Sequence, residues 1–144
     1  MHLSRFAILF AAFPLVTYAQ EKPRTDRELL CVRIAESTPD LAKRRNNNES
    51  MESAIDAEVE RRLKPDSSPK VRQFWKVALG ATAPIVWAFP AVNDDDLTML
   101  NLLRCLRPPA SGNTKQQFSN LSICVTQHPA RSTELHACFV NAMK

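Results

Sequence analysis

The chain has 144 residues, a formal net charge of +4 and 44% hydrophobic residues, with 2 glycines and 4 cysteines. That apolar content excludes a disordered tail, and a length below about 150 residues argues against two full domains. Scarce glycine argues against phosphate-binding loops and all-β sandwiches, because both need many positions with positive φ. The composition therefore favours one small helical domain.

The first nineteen residues have the layout of a secretory signal peptide. Arg5 supplies a positive charge, and residues 6–16 form an uncharged apolar run. Thr17 and Ala19 then place small side chains at the −3 and −1 positions of a cleavage site. The apolar run is shorter than the roughly 20 residues that span a bilayer. We therefore expect residues 1–19 to be removed and residues 20–144 to form a single periplasmic or secreted domain without a transmembrane span.

The number of cysteines predicts two disulfides, because an even count in a small exported protein is typical of a disulfide framework. Four cysteines allow three pairings, and their spacing alone does not select one. Local geometry favours a bridge between Cys124 and Cys138, since Pro129 marks a break between the two helical patterns that carry them. The remaining pair, Cys31 and Cys105, would then tie the first helix to a later one.

This pairing divides the expected domain into a main body, residues 20–109, and a C-terminal helical hairpin, residues 110–144. A zinc site is the alternative for the hairpin, since two cysteines and two histidines lie there: Cys124, His128, His136 and Cys138. Their spacing is not one of the recurring zinc patterns, and an oxidising compartment favours disulfides. We therefore expect no metal.

The main body begins with helices that local signals delimit. Thr25 and Glu28 have capping-box spacing and open the first helix. Pro39 interrupts it, since proline lacks the N–H that a continuing helix needs. Three asparagines at 46–48 then end the helical pattern. Residues 50–63 repeat apolar side chains every four positions, which is typical of an amphipathic surface helix.

The helix that follows Ser68-Pro69 is apolar on nearly every side, which predicts a central core element. Pro84 lies inside it, and we expect a kink or break there. Residues 77–92 carry no charge, but their length is below that of a membrane span. The aromatic residues of this segment could line a cavity for an apolar ligand, with ordinary core packing as the alternative: Phe74, Trp75, Trp87 and Phe89.

Asn93 and the aspartates at 94–96 predict the start of the next helix, because carboxylates are favourable at the positive end of the helix dipole. A calcium loop is the alternative, but it needs alternating ligands and a glycine. This helix ends at Pro108-Pro109, and two further helices open near Thr114 and Ser132. The predicted fold class is all-α, a compact bundle of about five to six helices with a C-terminal disulfide-linked hairpin.

The order of these elements resembles a class of small exported helical proteins of proteobacteria. The resemblance runs from Cys31, in an early amphipathic helix, to Cys105, about half of the chain. It includes a charged second helix, an aromatic helix ending in IVWAFP and an Asp-rich cap. Proteins of this class have no assigned function that the resemblance could transfer. The segment after residue 114, with its own cysteine pair, departs from the pattern.

The sequence contains no hydrolase, zinc-peptidase or nucleotide-binding motif. We expect His128 in a loop and His136 in a capping or solvent-facing position. The acidic residues at 94–96 and the pair Glu58 and Glu60 are expected on surface faces, without an apolar pocket to raise a pKa. Basic clusters at 43–45 and 61–62 lack interleaved aromatics for stacking on bases, which argues against a nucleic-acid partner. We expect no catalytic residue and no cofactor.

Three function classes remain. The first is a protein-binding module, such as an inhibitor or an immunity-type partner of another envelope or secreted protein. The second is a carrier of a small apolar ligand held between helices. The third is a small hydrolase whose site has no recognisable motif. Small size, expected export and expected disulfides favour the first class.

Overall fold

The computed structural model describes residues 25–107 and 114–143, and these residues form helices without any strand. In chain order the helices are α1 (Asp26–Ala35), α2 (Thr38–Asn46), α3 (Met51–Arg62), α4 (Pro69–Ala88), α5 (Asp94–Leu106), α6 (Thr114–Gln127) and α7 (Thr133–Ala142). The all-α prediction is confirmed. The described chain has seven helical segments because the expected interruption near Pro39 separates α1 from α2. The expected signal peptide, residues 1–19, and Pro108-Pro109 lie outside the described residues.

Short polar side chains begin most of these helices. The hydroxyl of Thr25 accepts a hydrogen bond from the backbone N–H of Glu28, whose carboxylate accepts one from the N–H of Thr25, as the capping-box spacing predicts. Four other helices begin with side-chain caps from Ser50, Ser68, Asn93 and Ser132. These caps occupy N–H groups that a helix cannot satisfy internally. They fix where each helix begins.

The body of the protein is built around α4 and α5. Helix α2 packs against α3, α4 and α5, while α1 lies along α5 and α3 lies along α4. Fully buried side chains at the centre come from five helices: Leu41, Val59, Leu79, Ile85, Leu97, Leu100 and Phe139. Helices α6 and α7 pair as a hairpin, which contacts the body mainly through α7 and α5.

Both predicted disulfides are present. Cys31 in α1 is bonded to Cys105 in α5, with 5.4 Å between their Cα atoms. Cys124 in α6 is bonded to Cys138 in α7, with 5.7 Å between their Cα atoms. The first bridge closes the body and the second closes the hairpin. Because both sulfurs of the hairpin are in this bond, they are not thiolate ligands for zinc.

Helix α4 differs from its prediction in two respects. It is continuous through Pro84, so of the two expected alternatives the break is wrong, while a kink there stays a prediction. Residues around the proline are fully buried, including Ala83, Ile85 and Val86, and their packing compensates for the one backbone hydrogen bond that Pro84 cannot make. Secondly, α4 is not surrounded on every side, because one of its faces is open to solvent.

Candidate functional site

One face of α4 exposes apolar side chains to solvent. Its apolar members recur at intervals of three or four positions, and we call them the α4 face: Phe74, Val77, Gly80, Ala81, Pro84 and Ala88. The same spacing places the exposed side chains of Lys70 and Gln73 beside them. Phe74 is 49% exposed and Val77 is 62% exposed, and Val71, at the edge of the face, is also exposed. Apolar side chains that are exposed together on one surface commonly mark a binding site.

Gly80 lies within this face, in the interior of a helix where glycine is unfavourable by roughly 0.5–1 kcal/mol relative to alanine. A Cβ atom built on Gly80 would meet no atom within 4 Å outside its own helical turn. The described chain therefore contains no neighbour that requires a glycine at this position. Absence of a side chain here leaves the backbone of α4 open to close approach from outside.

Charged side chains border the α4 face on the side of α3. Lys76 donates a hydrogen bond of 2.6 Å to the carboxylate of Asp56, and this bond raises the pKa of Lys76. Arg72 pairs with Glu60 in the same way, one turn nearer the start of α4. These ion pairs link α3 to α4 at the surface. Between the two helices lies a groove of about 230 Å³, lined by Met51, Glu52, Ile55, Asp56 and Lys76.

The four aromatic residues predicted as candidates for lining a ligand cavity lie in two groups. Phe74 and Trp75 make an edge-to-face contact with ring centroids 6.1 Å apart, and the guanidinium of Arg62 lies over the ring of Trp75. Phe89 stacks on Phe118 of the hairpin, with centroids 6.0 Å apart. Since a helix rises about 1.5 Å per residue, roughly 22 Å separates Phe74 from Phe89. Trp87 is partly buried near the second group.

A buried carboxylate connects the hairpin to the body. Asp96 is fully buried, which corrects the expectation that residues 94–96 lie on a surface face. Its carboxylate lies 2.8 Å from Nε2 of His136 and accepts hydrogen bonds from the backbone N–H of Arg131 and the side chain of Asn93. Burial by itself would raise the pKa of Asp96, but these hydrogen bonds outweigh it and hold the pKa below its ordinary value.

This Asp–His pair fixes the position of α7. His136 of α7 contacts Asp96, and Arg131 of the hairpin also pairs with Asp95 at 3.0 Å. Both contacts link the start of α5 to the hairpin. An Asp–His pair can orient a general base, but catalysis also needs a nucleophile or water-binding group within hydrogen-bond reach. The contacts of Asp96 are a helix cap, a backbone N–H and His136, which is the pattern of a structural connection.

Glu58 is the second buried carboxylate that the sequence analysis placed on a surface face, and that expectation is also wrong. Both of its oxygens accept hydrogen bonds, from Arg61 at 2.6 and 2.8 Å and from Arg62 at 2.6 Å. Arg61 continues the network to Asp40 of α2 at 2.9 Å. Burial would raise the pKa of Glu58, but the two guanidinium groups lower it overall. The network joins α2 to α3.

Within residues 25–107 and 114–143, no group of three or more His, Cys, Asp or Glu side chains could hold a metal ion. In the same part of the chain, no helix has both the length and the apolar character needed to cross a bilayer. Comparison with known proteins gives no match, whether with family models, curated proteins or solved structures.

Proposed function

We propose that this protein is exported and acts by binding another protein through the α4 face, as an inhibitor or an immunity-type partner. Two disulfides in a small chain support export, because such bonds persist in oxidising compartments. The signal-peptide layout of residues 1–19 supports removal of a leader and a periplasmic or secreted location.

The α4 face carries the proposal of protein binding. Its large side chains are exposed although the helix beneath them is firmly packed, with Leu79, Ala83 and Val86 fully buried on the opposite side. A rigid helix that presents apolar residues at i, i+3 and i+7 is a common protein-recognition surface. Rigidity reduces the entropy that is lost when a partner binds.

A carrier of an apolar ligand is supported less well. That function needs aromatic side chains that converge on an enclosed volume. Phe74 is instead exposed at one end of α4, and Phe89 is packed against Phe118 at the other. Ordinary core packing accounts for the buried members of the set.

The experiment compares two exposed apolar residues of matched accessibility. Phe74 of the α4 face is 49% exposed and Ile123 of α6 is 48% exposed. The chain from Gln20, with both disulfides formed, is immobilised as wild type, Phe74→Glu and Ile123→Glu, and incubated with envelope and secreted proteins of the producing cell. We expect wild type and Ile123→Glu to retain the same protein, and Phe74→Glu to lose it. Equal retention by all three forms, or retention of nothing, would contradict the proposal.

A further inference from the structure

We propose that the protein bound by the α4 face places a carboxylate on the guanidinium of Arg104. The inference rests on the proposed function, because it names the chemistry of the partner for the same surface. Arg104 lies in the last turn of α5 and reaches the edge of the α4 face at Ala81. The expected partner therefore presents an acidic side chain next to apolar ones.

The guanidinium of Arg104 is fixed at the border of the α4 face on the side of α5. Its Nε donates a hydrogen bond of 3.0 Å to the backbone carbonyl of Ala81, which belongs to that face. Its Nη1 donates a longer bond of 3.4 Å to the side chain of Gln117, and its Cζ lies 5.2 Å from the ring centroid of Phe118. These contacts hold the group in place before a partner arrives, which reduces the entropy that is lost on binding.

The charge of Arg104 is not balanced within the described part of the protein. No carboxylate lies within ion-pair distance of it in residues 25–107 and 114–143. Burial lowers the pKa of the guanidinium, and no acidic side chain of these residues raises it again. In the same residues its Nη2 makes no hydrogen bond. Because buried charges in proteins are normally paired, a carboxylate from outside would complete this site.

The opposite border of the α4 face, on the side of α3, differs because its cations are already paired. Arg72 binds Glu60, and Lys76 binds Asp56, across the two helices. A partner that approaches from outside finds these charges satisfied. The border at Arg104 is therefore where an added carboxylate gains most.

Lys70 is a second cation without an ion pair in the described residues. It is exposed in the first turn of α4 and precedes Ala81 by eleven positions, which is about three helical turns, so both residues are on the same side of the helix. About 16 Å separates them along the axis. A complementary partner carries two acidic groups about this far apart, with apolar side chains between them that cover Phe74 and Val77.

An anionic membrane is another surface that combines apolar and negative groups. It fits less well, because three carboxylates of α3 lie near Lys76 beside the α4 face, at Glu52, Asp56 and Glu60. Negative lipid head groups would repel them. A folded partner can place its acidic groups at Arg104 and Lys70 and away from α3, which a uniformly charged lipid surface cannot do.

Two synthetic helical peptides serve as defined probes. Both have the same apolar stripe of leucine and alanine, and they carry either glutamate or lysine at two positions eleven residues apart. Binding to the disulfide-bonded chain from Gln20 is followed at low salt by the fluorescence of its two tryptophans, which both lie in α4. We expect the glutamate peptide to bind with a Kd below about 1 mM, and about tenfold more tightly than the lysine peptide.

A matched pair of variants separates the site from the net charge. Arg104→Gln and Arg107→Gln each remove one positive charge near the end of α5, and Arg107 is exposed. We expect Arg104→Gln to weaken binding of the glutamate peptide about tenfold, and Arg107→Gln to change it by less than about twofold. Arg104→Lys keeps the charge without the planar fork and should bind with intermediate affinity.

Far-ultraviolet circular dichroism checks that each variant is folded. Lys70→Gln, at an exposed position, gives a second reading that does not depend on the folding of the Arg104 variants, and it should weaken the glutamate peptide about threefold. Equal affinity for the two peptides, no binding of either at about 1 mM, or equal effects of Arg104→Gln and Arg107→Gln would each overturn the inference. Binding to phosphatidylglycerol vesicles without binding to the glutamate peptide would overturn it in favour of a membrane.

Failure of this inference is distinguishable from failure of the proposed function. Capture of an envelope protein that is lost in Phe74→Glu but unchanged in Arg104→Gln contradicts only the role of Arg104. Peptide binding that depends on Arg104, together with capture that is unaffected by Phe74→Glu, contradicts the proposed function and leaves the carboxylate site.

Discussion

Removing the Cys31–Cys105 bridge should destabilise the whole protein, whereas removing Cys124–Cys138 should act mainly on the hairpin. The first bridge joins residues separated by 74 positions and the second joins residues separated by 14. In the chain-entropy model, these loops correspond to about 4.4 and about 3.0 kcal/mol of stabilisation. We therefore expect the double replacement Cys31→Ala with Cys105→Ala to cost about 4 kcal/mol, a large part of a typical stability of about 5–15 kcal/mol.

The position of each bridge in the fold adds to the difference in stabilisation between the two disulfides. Helix α1 packs mainly on α5, and the disulfide is its covalent connection to that helix. Without this bridge, α1 is held to α5 by non-covalent contacts, namely side-chain packing and the hydrogen bond from Arg27 to the carbonyl of Leu106. The hairpin has further attachments, because Phe139 is fully buried and Asp96 binds His136 and Arg131.

Two probes separate the body from the hairpin. Both tryptophans of the chain, Trp75 and Trp87, lie in α4, so their fluorescence during urea unfolding reports on the body. Hydrogen exchange of residues 114–143 reports on the hairpin. Without Cys124–Cys138, we expect faster exchange in the hairpin and a nearly unchanged fluorescence transition. The reasoning would be refuted if fluorescence showed that this variant loses as much unfolding free energy as the variant without Cys31–Cys105.

Three further predictions concern single residues. Replacing Asp96 by Asn should cost about 2 kcal/mol at pH 6, because charge-assisted hydrogen bonds to the hairpin are lost. The pKa of Asp96 is lowered in the folded state, so its contribution is present above the unfolded value near 3.9 and is lost as pH falls through the folded pKa. The unfolding midpoints of wild type and variant should therefore converge as the solution is acidified, and a difference that stays constant would contradict this. Glu58→Gln should lower the free energy of urea unfolding by about 1–3 kcal/mol, because the buried carboxylate loses its charge. The side chain of Glu60 is 65% exposed, so Glu60→Gln should change stability by less than about 0.5 kcal/mol. Gly80→Ala should stabilise the protein by about 0.5–1 kcal/mol in thermal unfolding, and a destabilised variant would show that the helix needs glycine there.

Features that depend on neighbouring residues in the sequence could be predicted. The capping box at Thr25, the caps at Ser68 and Asn93 and the hairpin around Pro129 all follow from short-range geometry. The hairpin brings Cys124 near Cys138, and the other bridge then follows by elimination. An apolar repeat of three or four residues was sufficient to establish the all-α class.

Features that depend on tertiary packing could not be predicted in this way. The helical repeat of α4 shows that its sides are apolar, but the number of helices that pack around it decides which side is covered. Asp96 and Glu58 have the sequence context of surface acids, since helix starts and mixed-charge helices are normally exposed. The main side-chain partner of Asp96, His136, is 40 positions away in the sequence. The arginines that bind Glu58 are only three and four positions away, but its network also reaches Asp40 of α2, which the local sequence does not indicate.

Photo-crosslinking in the producing cell tests most directly whether the α4 face is a protein-binding surface. A photoreactive amino acid replaces Phe74 or Val77, which are 49% and 62% exposed on the α4 face, or Ile123, which is 48% exposed on α6 and serves as the control. Irradiated samples are resolved by mass, and the joined peptides are identified. We predict discrete products from positions 74 and 77 that contain another envelope or secreted protein, and a much lower yield from position 123. Absence of products at positions 74 and 77, or equal yields of the same products at these positions and at position 123, would contradict the account.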